Sequence, residues 1–100
     1  MPQVRLSPKA ARDLQRLRLF LQTKNQEAAK RAITAIRTAH KTLAISPLAH
    51  MPDDETPNYR IMQIPFGSSG YTVWYHYKTG ADVTIVSIKH QKEGSYENDL

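Results

Sequence analysis

The sequence predicts an α+β domain in which two helices pack on a four-stranded antiparallel sheet. Apolar residues recur at helical spacing through the first half of the chain, and a short alternating run precedes them. In the second half, three alternating runs are separated by glycine-containing turns. The predicted order is an N-terminal strand, an αα-hairpin and a three-stranded antiparallel meander. Because 100 residues are too few for two ordinary cores, residues 1–100 are expected to form a single domain.

The opening strand and the first helix are predicted by residues 3–21. Gln3 to Leu6 alternates polar and apolar residues, which is typical of a strand. Ser7 and Pro8 follow as an N-cap and a first helical residue. A helix over about residues 8–22 is then indicated by apolar residues on one face: Ala10, Leu14, Leu17 and Leu21, with Ala11 and Phe20 beside them.

The second helix is predicted from Asn25 to Ser46. Asn25 is a good N-cap, Glu27 is favourable near the positive end of the helix dipole, and Ser46-Pro47 stops the helix. Its predicted buried face is rich in alanine, which lets two helices approach closely. That face consists of Ala28, Ala32, Ile33, Ala35, Ile36, Ala39 and Leu43.

Residues 47–57 contain three prolines and the acidic run Asp53-Asp54-Glu55, so we expect an exposed, irregular crossing. Strands are predicted at 58–64, 71–77 and 82–90. In the middle strand Tyr71, Val73, Tyr75 and Tyr77 share one face. In the last strand, strict alternation places Val83 and Ile85 on one face and Val86, Ile88 and His90 on the other. Residues 92–100 are expected to be a flexible tail.

Composition limits the possible chemistry. The chain is 40% apolar and 23% charged, which is typical of a globular domain and excludes collagen, coiled-coil and disordered classes. No apolar run approaches the ~18 residues of a membrane span, so we expect a soluble, cytoplasmic protein without membrane contact. Without cysteine there is no thiolate nucleophile or thiolate metal site. The histidine spacings fit no metal motif, and we expect neither metal nor cofactor.

The positive charge is concentrated in the first half of the chain. Residues 1–50 hold ten Lys and Arg against Asp13 and Glu27. Such a basic surface attracts polyanions or acidic protein segments. The cations Lys9, Arg12 and Arg16 recur on one face of the first helix and are a candidate partner-binding set, with a solvated surface as the alternative.

Arg60, His76 and His90 are the candidates for chemistry in the second half. An Arg that balances phosphate charge and a His that moves protons near neutral pH suffice for metal-free RNA cleavage. These residues lie on neighbouring predicted strands, so their side chains could converge. The alternative for His90 is a structural strand-end residue hydrogen-bonded to the backbone, and the alternative for His76 is a structural residue in a face shared with Thr72 and Trp74.

The sequence resembles the RelE/ParE toxin superfamily of type II toxin–antitoxin modules over about residues 2–92. The resemblance rests on the order and spacing of several short segments along a basic chain. These are Ser7 to Leu14, Ala28-Ala29, Leu43, Pro47, Tyr59-Arg60, Tyr71 to Tyr75 and Val83 to Lys92. It implies the architecture predicted above and an acidic-leaning antitoxin that binds the toxin, giving a hetero-oligomer.

The superfamily has two branches, which differ in their targets. RelE-like members cut mRNA on the ribosome, and ParE-like members inhibit DNA gyrase and are not nucleases. The ending Lys89-His90-Gln91-Lys92 looks more like ParE, and the acidic run in the crossing disfavours RNA. We therefore favour a gyrase inhibitor without catalytic residues, whose candidate contacts are Lys9, Arg12, Arg16, Arg60, His90 and Lys92. A RelE-like nuclease using Arg60, His76 and His90, and a non-toxic antitoxin-binding remnant, are the alternatives.

Overall fold

The computed structural model describes residues 2–53, 55–66 and 69–91, which form two helices against one face of a five-stranded sheet. The α+β class predicted from the sequence is confirmed. The elements in chain order are β1 (Val4–Leu6), α1 (Pro8–Lys24), α2 (Gln26–Ile45), β2 (Met51–Pro52), β3 (Tyr59–Phe66), β4 (Ser69–His76) and β5 (Val83–His90).

Both helices begin at the caps that the sequence predicts. The Ser7 hydroxyl oxygen accepts a hydrogen bond from the Ala10 N–H at 3.0 Å, and Pro8 occupies the first turn. The Asn25 side chain accepts hydrogen bonds from the N–H groups of Glu27 and Ala28 at 2.9 and 3.2 Å. Because Asn25 alone separates the helices, α1 continues past the predicted end at residue 22.

The sheet order is β1-β5-β4-β3-β2, and it differs from the predicted four-stranded antiparallel sheet in two ways. First, β1 pairs in parallel with β5, with Val4 opposite Val83. A three-residue strand carries no sign of its direction, which depends on how the helices return the chain. Second, the crossing predicted as irregular contains the short edge strand β2, which pairs with β3.

A β-bulge changes the faces of β5. The register between β4 and β5 shifts between Trp74 and Tyr75, so that Trp74 lies opposite Ser87 and Tyr75 opposite Ile85. Val86 is therefore the extra residue of the bulge. The prediction that Val83 and Ile85 face away from Ile88 and His90 is wrong, since all four are buried. The turn from β4 to β5 contains Gly80 at a φ of 88°. A glycine is expected there, because hairpin turns often need a residue with positive φ.

The core lies between the helices and the sheet. Tyr71, Val73 and Tyr75 of β4 share the buried face, as predicted, and Tyr77 is partly buried against it. The helical contribution is mostly small or leucine side chains, with Ala29 in place of the predicted Ala28. The buried helical residues are Ala10, Leu17, Leu21, Ala29, Ala32, Ile36 and Leu43.

Where β1 ends, side chains at the start of α1 form hydrogen bonds with the backbone at the edge of β5. The Ser7 hydroxyl donates a hydrogen bond to the carbonyl of Val86, the bulge residue, at 2.9 Å. Six residues further along, the carboxylate of Asp13 in α1 accepts a hydrogen bond from the Ile88 N–H at 3.1 Å. These side chains satisfy backbone groups that a longer β1 would have paired. The helix is thereby fixed to the last strand.

Two predictions concern other parts of the chain. The expected flexible tail, residues 92–100, and the candidate contact Lys92 lie outside the described residues. Among the residues that the structure describes, no helix is both long enough and apolar enough to span a membrane.

Candidate functional site

Arg60 lies on β3 and holds the crossing between α2 and the sheet in place. Its Nη1 donates hydrogen bonds to the carbonyl oxygens of His50 and Leu48, at 2.6 and 3.3 Å. Hydrogen bonds from a charged donor are among the stronger ones in proteins. At least part of the donor capacity of Arg60 is therefore used to bind the main chain of its own fold.

His50 and Tyr75 also hold the crossing in place. The Tyr75 hydroxyl donates a hydrogen bond to the Pro47 carbonyl at 2.7 Å, and the His50 ring meets the Tyr75 ring edge-on at 6.1 Å between centroids. Burial, and then the charge of Arg60, lower the pKa of His50. Burial raises the pKa of Tyr75. His50 therefore favours its neutral form, and the crossing is held by ring packing and by hydrogen bonds to main-chain carbonyls.

His90, at the end of β5, is a buried residue. It is 8% exposed, and its ring lies between those of Tyr71 and Phe20, at centroid distances of 5.2 and 6.3 Å. Phe20 belongs to α1, so His90 joins the last strand to the first helix. The structural alternative for His90 expects a hydrogen bond to the backbone, whereas these contacts are with aromatic rings.

His76 lies on the opposite face of the sheet, which the helices do not cover. Its ring meets Tyr59 at 4.9 Å, and Tyr59 meets Trp74 at 5.0 Å between centroids. The indole Nε1 of Trp74 is buried without a hydrogen-bond partner in the described part of the chain. The outer face of the sheet thus carries a self-packed aromatic cluster rather than a free histidine.

The three nuclease candidates are not brought together. Arg60 is paired with Tyr75, and His90 with Tyr71, which lies four residues away on β4. At about 3.3 Å per residue, Arg60 and His90 are separated by about 13 Å along the sheet as well as by the intervening strand. His76 is on the other face. The predicted convergence of the three side chains is not observed.

Asp13, which the sequence did not mark as a candidate, forms ion pairs with two of the three candidate cations of the first helix. Lys9 Nζ and Arg16 Nη1 lie 3.1 and 2.8 Å from the two carboxylate oxygens of Asp13. Arg12 is exposed and has no ion-pair partner among the described residues. Lys9 and Arg16 therefore stabilise a buried carboxylate, and Arg12 is the member of the set whose charge faces solvent.

Asp13 remains ionised because of these partners. Burial tends to raise its pKa, but Arg16, the Ile88 N–H and Lys9 outweigh that effect and hold the pKa below its ordinary value. An acidic residue four positions after Lys9 and three before Arg16 was the available signal in the sequence. Its bond to Ile88 spans 75 positions, so no local pattern could indicate it.

Exposed apolar residues gather where α2 leads into the edge strand. Ile45, Leu48 and Met51 are 70%, 55% and 76% exposed, and we call these three residues the apolar corner. Met51 pairs with Ile61 of β3, which is also exposed. Apolar groups concentrated in one place on a surface often mark a protein interface.

No group of three or more His, Cys, Asp or Glu side chains is placed to hold a metal ion within residues 2–53, 55–66 and 69–91. Besides the aromatic cluster on the outer face of the sheet, the described part of the chain offers two candidate binding surfaces. One is the basic outer side of the helices, and the other is the apolar corner beside the edge strand.

Comparisons with known proteins point to one family. The model of the family described as "ParE toxin of type II toxin-antitoxin system, parDE" matches residues 4–94. A curated relative from Caulobacter vibrioides named Toxin RelE3 is 34% identical over 93 residues, which cover 93% of this chain and 98% of the relative. A solved chain from the chromosomal ParDE toxin–antitoxin system of P. aeruginosa superposes with a TM-score of 0.67. That match has 21% identity and covers 90% of this chain and 96% of the solved one, and it shows a shared fold.

Proposed function

Because this chain belongs to the ParE toxin family of type II toxin–antitoxin systems, we propose that it inhibits DNA gyrase and that a cognate antitoxin neutralises it by direct binding. Gyrase inhibition is the activity of the ParE-like branch that the sequence resembles. The matching family model is also that of ParE.

The positions of Arg60 and His90 carry the choice of gyrase over RNA. Metal-free RNA cleavage needs a cation on the phosphate and a histidine that reaches the reacting oxygen. Arg60 Nη1 binds two main-chain carbonyls, and His90 is packed between two aromatic rings. With these side chains apart, the described residues support a protein that acts by binding.

The proposal is tested with purified gyrase and relaxed plasmid DNA. The protein is expected to block supercoiling or to trap cleaved DNA, while a cell-free translation extract given the same concentration continues to make protein. Full supercoiling activity in the presence of excess toxin would contradict the proposal. Prior addition of the cognate antitoxin is the matched control and should restore supercoiling.

A RelE-like ribosome-dependent mRNA endonuclease is the second candidate, because the curated relative carries a RelE name. Under it, message bound to ribosomes is cut while supercoiling is unaffected. His90→Ala would then lower cleavage by about 10²- to 10⁴-fold if His90 acts as general acid or base. A protein that binds its antitoxin and leaves both gyrase and message intact would instead be the non-toxic remnant.

The antitoxin is proposed to dock on the apolar corner. β2 lies at one edge of the sheet, so in the described part of the chain one side of its backbone has no strand neighbour. An extended segment of the antitoxin could pair with that edge and cover Leu48 and Met51. Acidic residues in the same antitoxin would be attracted to the basic helices, which fits the family's acidic-leaning antitoxins.

A further inference from the structure

We propose that the groove between α1 and α2 binds the phosphate backbone of duplex DNA. This groove, called here the hairpin groove, has a volume of about 400 Å³ and lies between the two helices at their connected end. Arg18 and Gln22 line it from α1, and Gln26, Lys30 and Arg37 line it from α2.

The positive charge of the groove is little compensated. None of its lining residues is acidic. Arg18 and Arg37 have no ion-pair partner in the described part of the chain, and Lys30 lies 4.0 Å from Glu27 in a pair whose side chains are 76% and 73% exposed. An exposed pair at that distance contributes little. Three cations from two helices thus face one concave surface and are available to an anion.

The charged and amide side chains of the lining suit phosphate. Arg, Lys and Gln side chains are among the usual donors to the nucleic-acid backbone. The apolar residues of the lining are Ala29, which is buried, and Ile33, which is half-buried, so they give an amphipathic segment little to pack against. The larger exposed side chains of the apolar corner serve that purpose elsewhere on the surface. The groove is therefore assigned to a polyanion.

Duplex DNA fits this lining better than single strands do. Proteins that hold single strands stack the bases on aromatic side chains, and no aromatic residue lines the groove. Lys30 and Arg37 are two helical turns apart, about 10 Å, and Arg18 faces them across a helix pair about 8–10 Å apart. Such a triangle can contact backbone phosphates without reading bases. The choice of DNA over RNA rests on the proposed function, since gyrase acts on duplex DNA.

The test uses Arg18→Gln/Arg37→Gln and a control variant with the same loss of charge, Arg31→Gln/Lys78→Gln, whose exposed cations lie outside the groove. Binding of a fluorescent 30-base-pair duplex is measured by anisotropy between 50 and 200 mM salt, after thermal unfolding has verified both folds. Each lost phosphate contact lowers the salt slope by about one, so the groove variant should bind about 10- to 100-fold more weakly at 100 mM salt. The control should lose less than threefold.

Several outcomes would overturn the inference. Equal losses in both variants would mean diffuse attraction, and stronger binding of an RNA duplex or a single strand would exclude duplex DNA as the ligand. A groove variant that binds DNA normally but loses its antitoxin would assign the groove to a protein. Wild-type protein that blocks supercoiling without binding DNA would refute this inference alone. DNA binding without gyrase inhibition would refute the proposed function and leave the groove as a DNA site.

Discussion

Asp13 shows how one buried side chain connects a helix to a sheet. It accepts a hydrogen bond from the Ile88 N–H and forms ion pairs with Lys9 and Arg16. Its charge therefore stabilises contacts that exist only in the folded protein. Removing Asp13 takes a charged partner from both cations and an acceptor from the Ile88 N–H, which is more costly than the loss of a single hydrogen bond.

Asp13→Asn keeps an oxygen that can accept from Ile88 but removes the charge that Arg16 and Lys9 require. We expect the free energy of unfolding to fall by about 1–3 kcal/mol at pH 7, because these are hydrogen bonds to a charged group. Urea denaturation measures the change. Glu27→Gln, at an exposed carboxylate on α2, is the matched control and should change stability by less than about 0.5 kcal/mol.

The advantage of wild type over Asp13→Asn should depend on pH. The pKa of Asp13 is lower in the folded than in the unfolded state. Its contribution is therefore fully present above the unfolded pKa of about 3.9 and is lost as the pH falls through the lower folded pKa. A stability difference that stayed constant between pH 7 and pH 2 would show that the charge of Asp13 has no role.

Arg60→Gln tests whether Arg60 is a structural residue. The substitution removes the donors that hold the carbonyls of His50 and Leu48, so we expect the free energy of unfolding to fall by about 1–3 kcal/mol. Arg12→Gln, which removes an exposed charge, should be nearly neutral. Unchanged stability of Arg60→Gln together with a complete loss of toxicity would mean that Arg60 contacts the target.

The sequence predicted which residues stand out, but not what they contact. It identified Arg60 and His90 as candidates for chemistry and gave His90 a structural alternative. The partners of Arg60 are carbonyls in the crossing, and those of His90 are rings from α1 and β4. Such contacts join segments far apart in the chain, and no local spacing encodes them.

At the level of elements, the helices were easier to predict than the sheet. Ser7 and Asn25 cap the helices by local hydrogen bonds, which a sequence displays directly. Val86 interrupts the alternation of β5 through a bulge, and the bulge is held by Ser7, which lies 79 positions away. Strict alternation therefore assigned half of β5 to the wrong face.

Ser7→Ala should affect more than the start of a helix. The hydroxyl accepts from Ala10 and donates to Val86, so its removal affects both the cap and the bulge. We expect a loss of about 1–3 kcal/mol in unfolding free energy and faster amide exchange along β5. Asn25→Ala removes a cap without a contact to the sheet and is the matched control. Identical exchange along β5 in the two variants would refute the link.

The apolar corner gives a test of where the antitoxin binds. Leu48→Ser/Met51→Ser removes apolar area from exposed positions, so folding should be unaffected while antitoxin affinity falls about 10-fold or more. Leu19→Ser, at a 59% exposed position on α1, is the control and should bind as wild type does. Isothermal titration with the purified antitoxin measures both. Equal affinity of all three proteins would place the antitoxin elsewhere.

For the whole molecule, charge and apolar surface are separated. The helices carry most of the cations, with Asp13 and Glu27 as the acidic residues among residues 8–45. The apolar corner begins at the C-terminal end of α2, whereas the hairpin groove is lined by residues 26–37 of the same helix. The corner can thus take an apolar segment of the antitoxin, while the helices attract anionic groups, which are acidic residues of the antitoxin or the DNA proposed for the hairpin groove. The sequence predicted the basic half but not this separation, because it depends on how the helices fold back on the sheet.

The most direct measurement of the central claim is the amount of DNA covalently attached to gyrase in cells shortly after the toxin is induced. Gyrase inhibition through trapped cleavage gives a rapid rise in gyrase-linked DNA, while ribosome-bound messages stay full length. The rise should be absent when the antitoxin is co-expressed. Unchanged gyrase-linked DNA together with messages cut at ribosomes would contradict the proposed target and make the chain a nuclease.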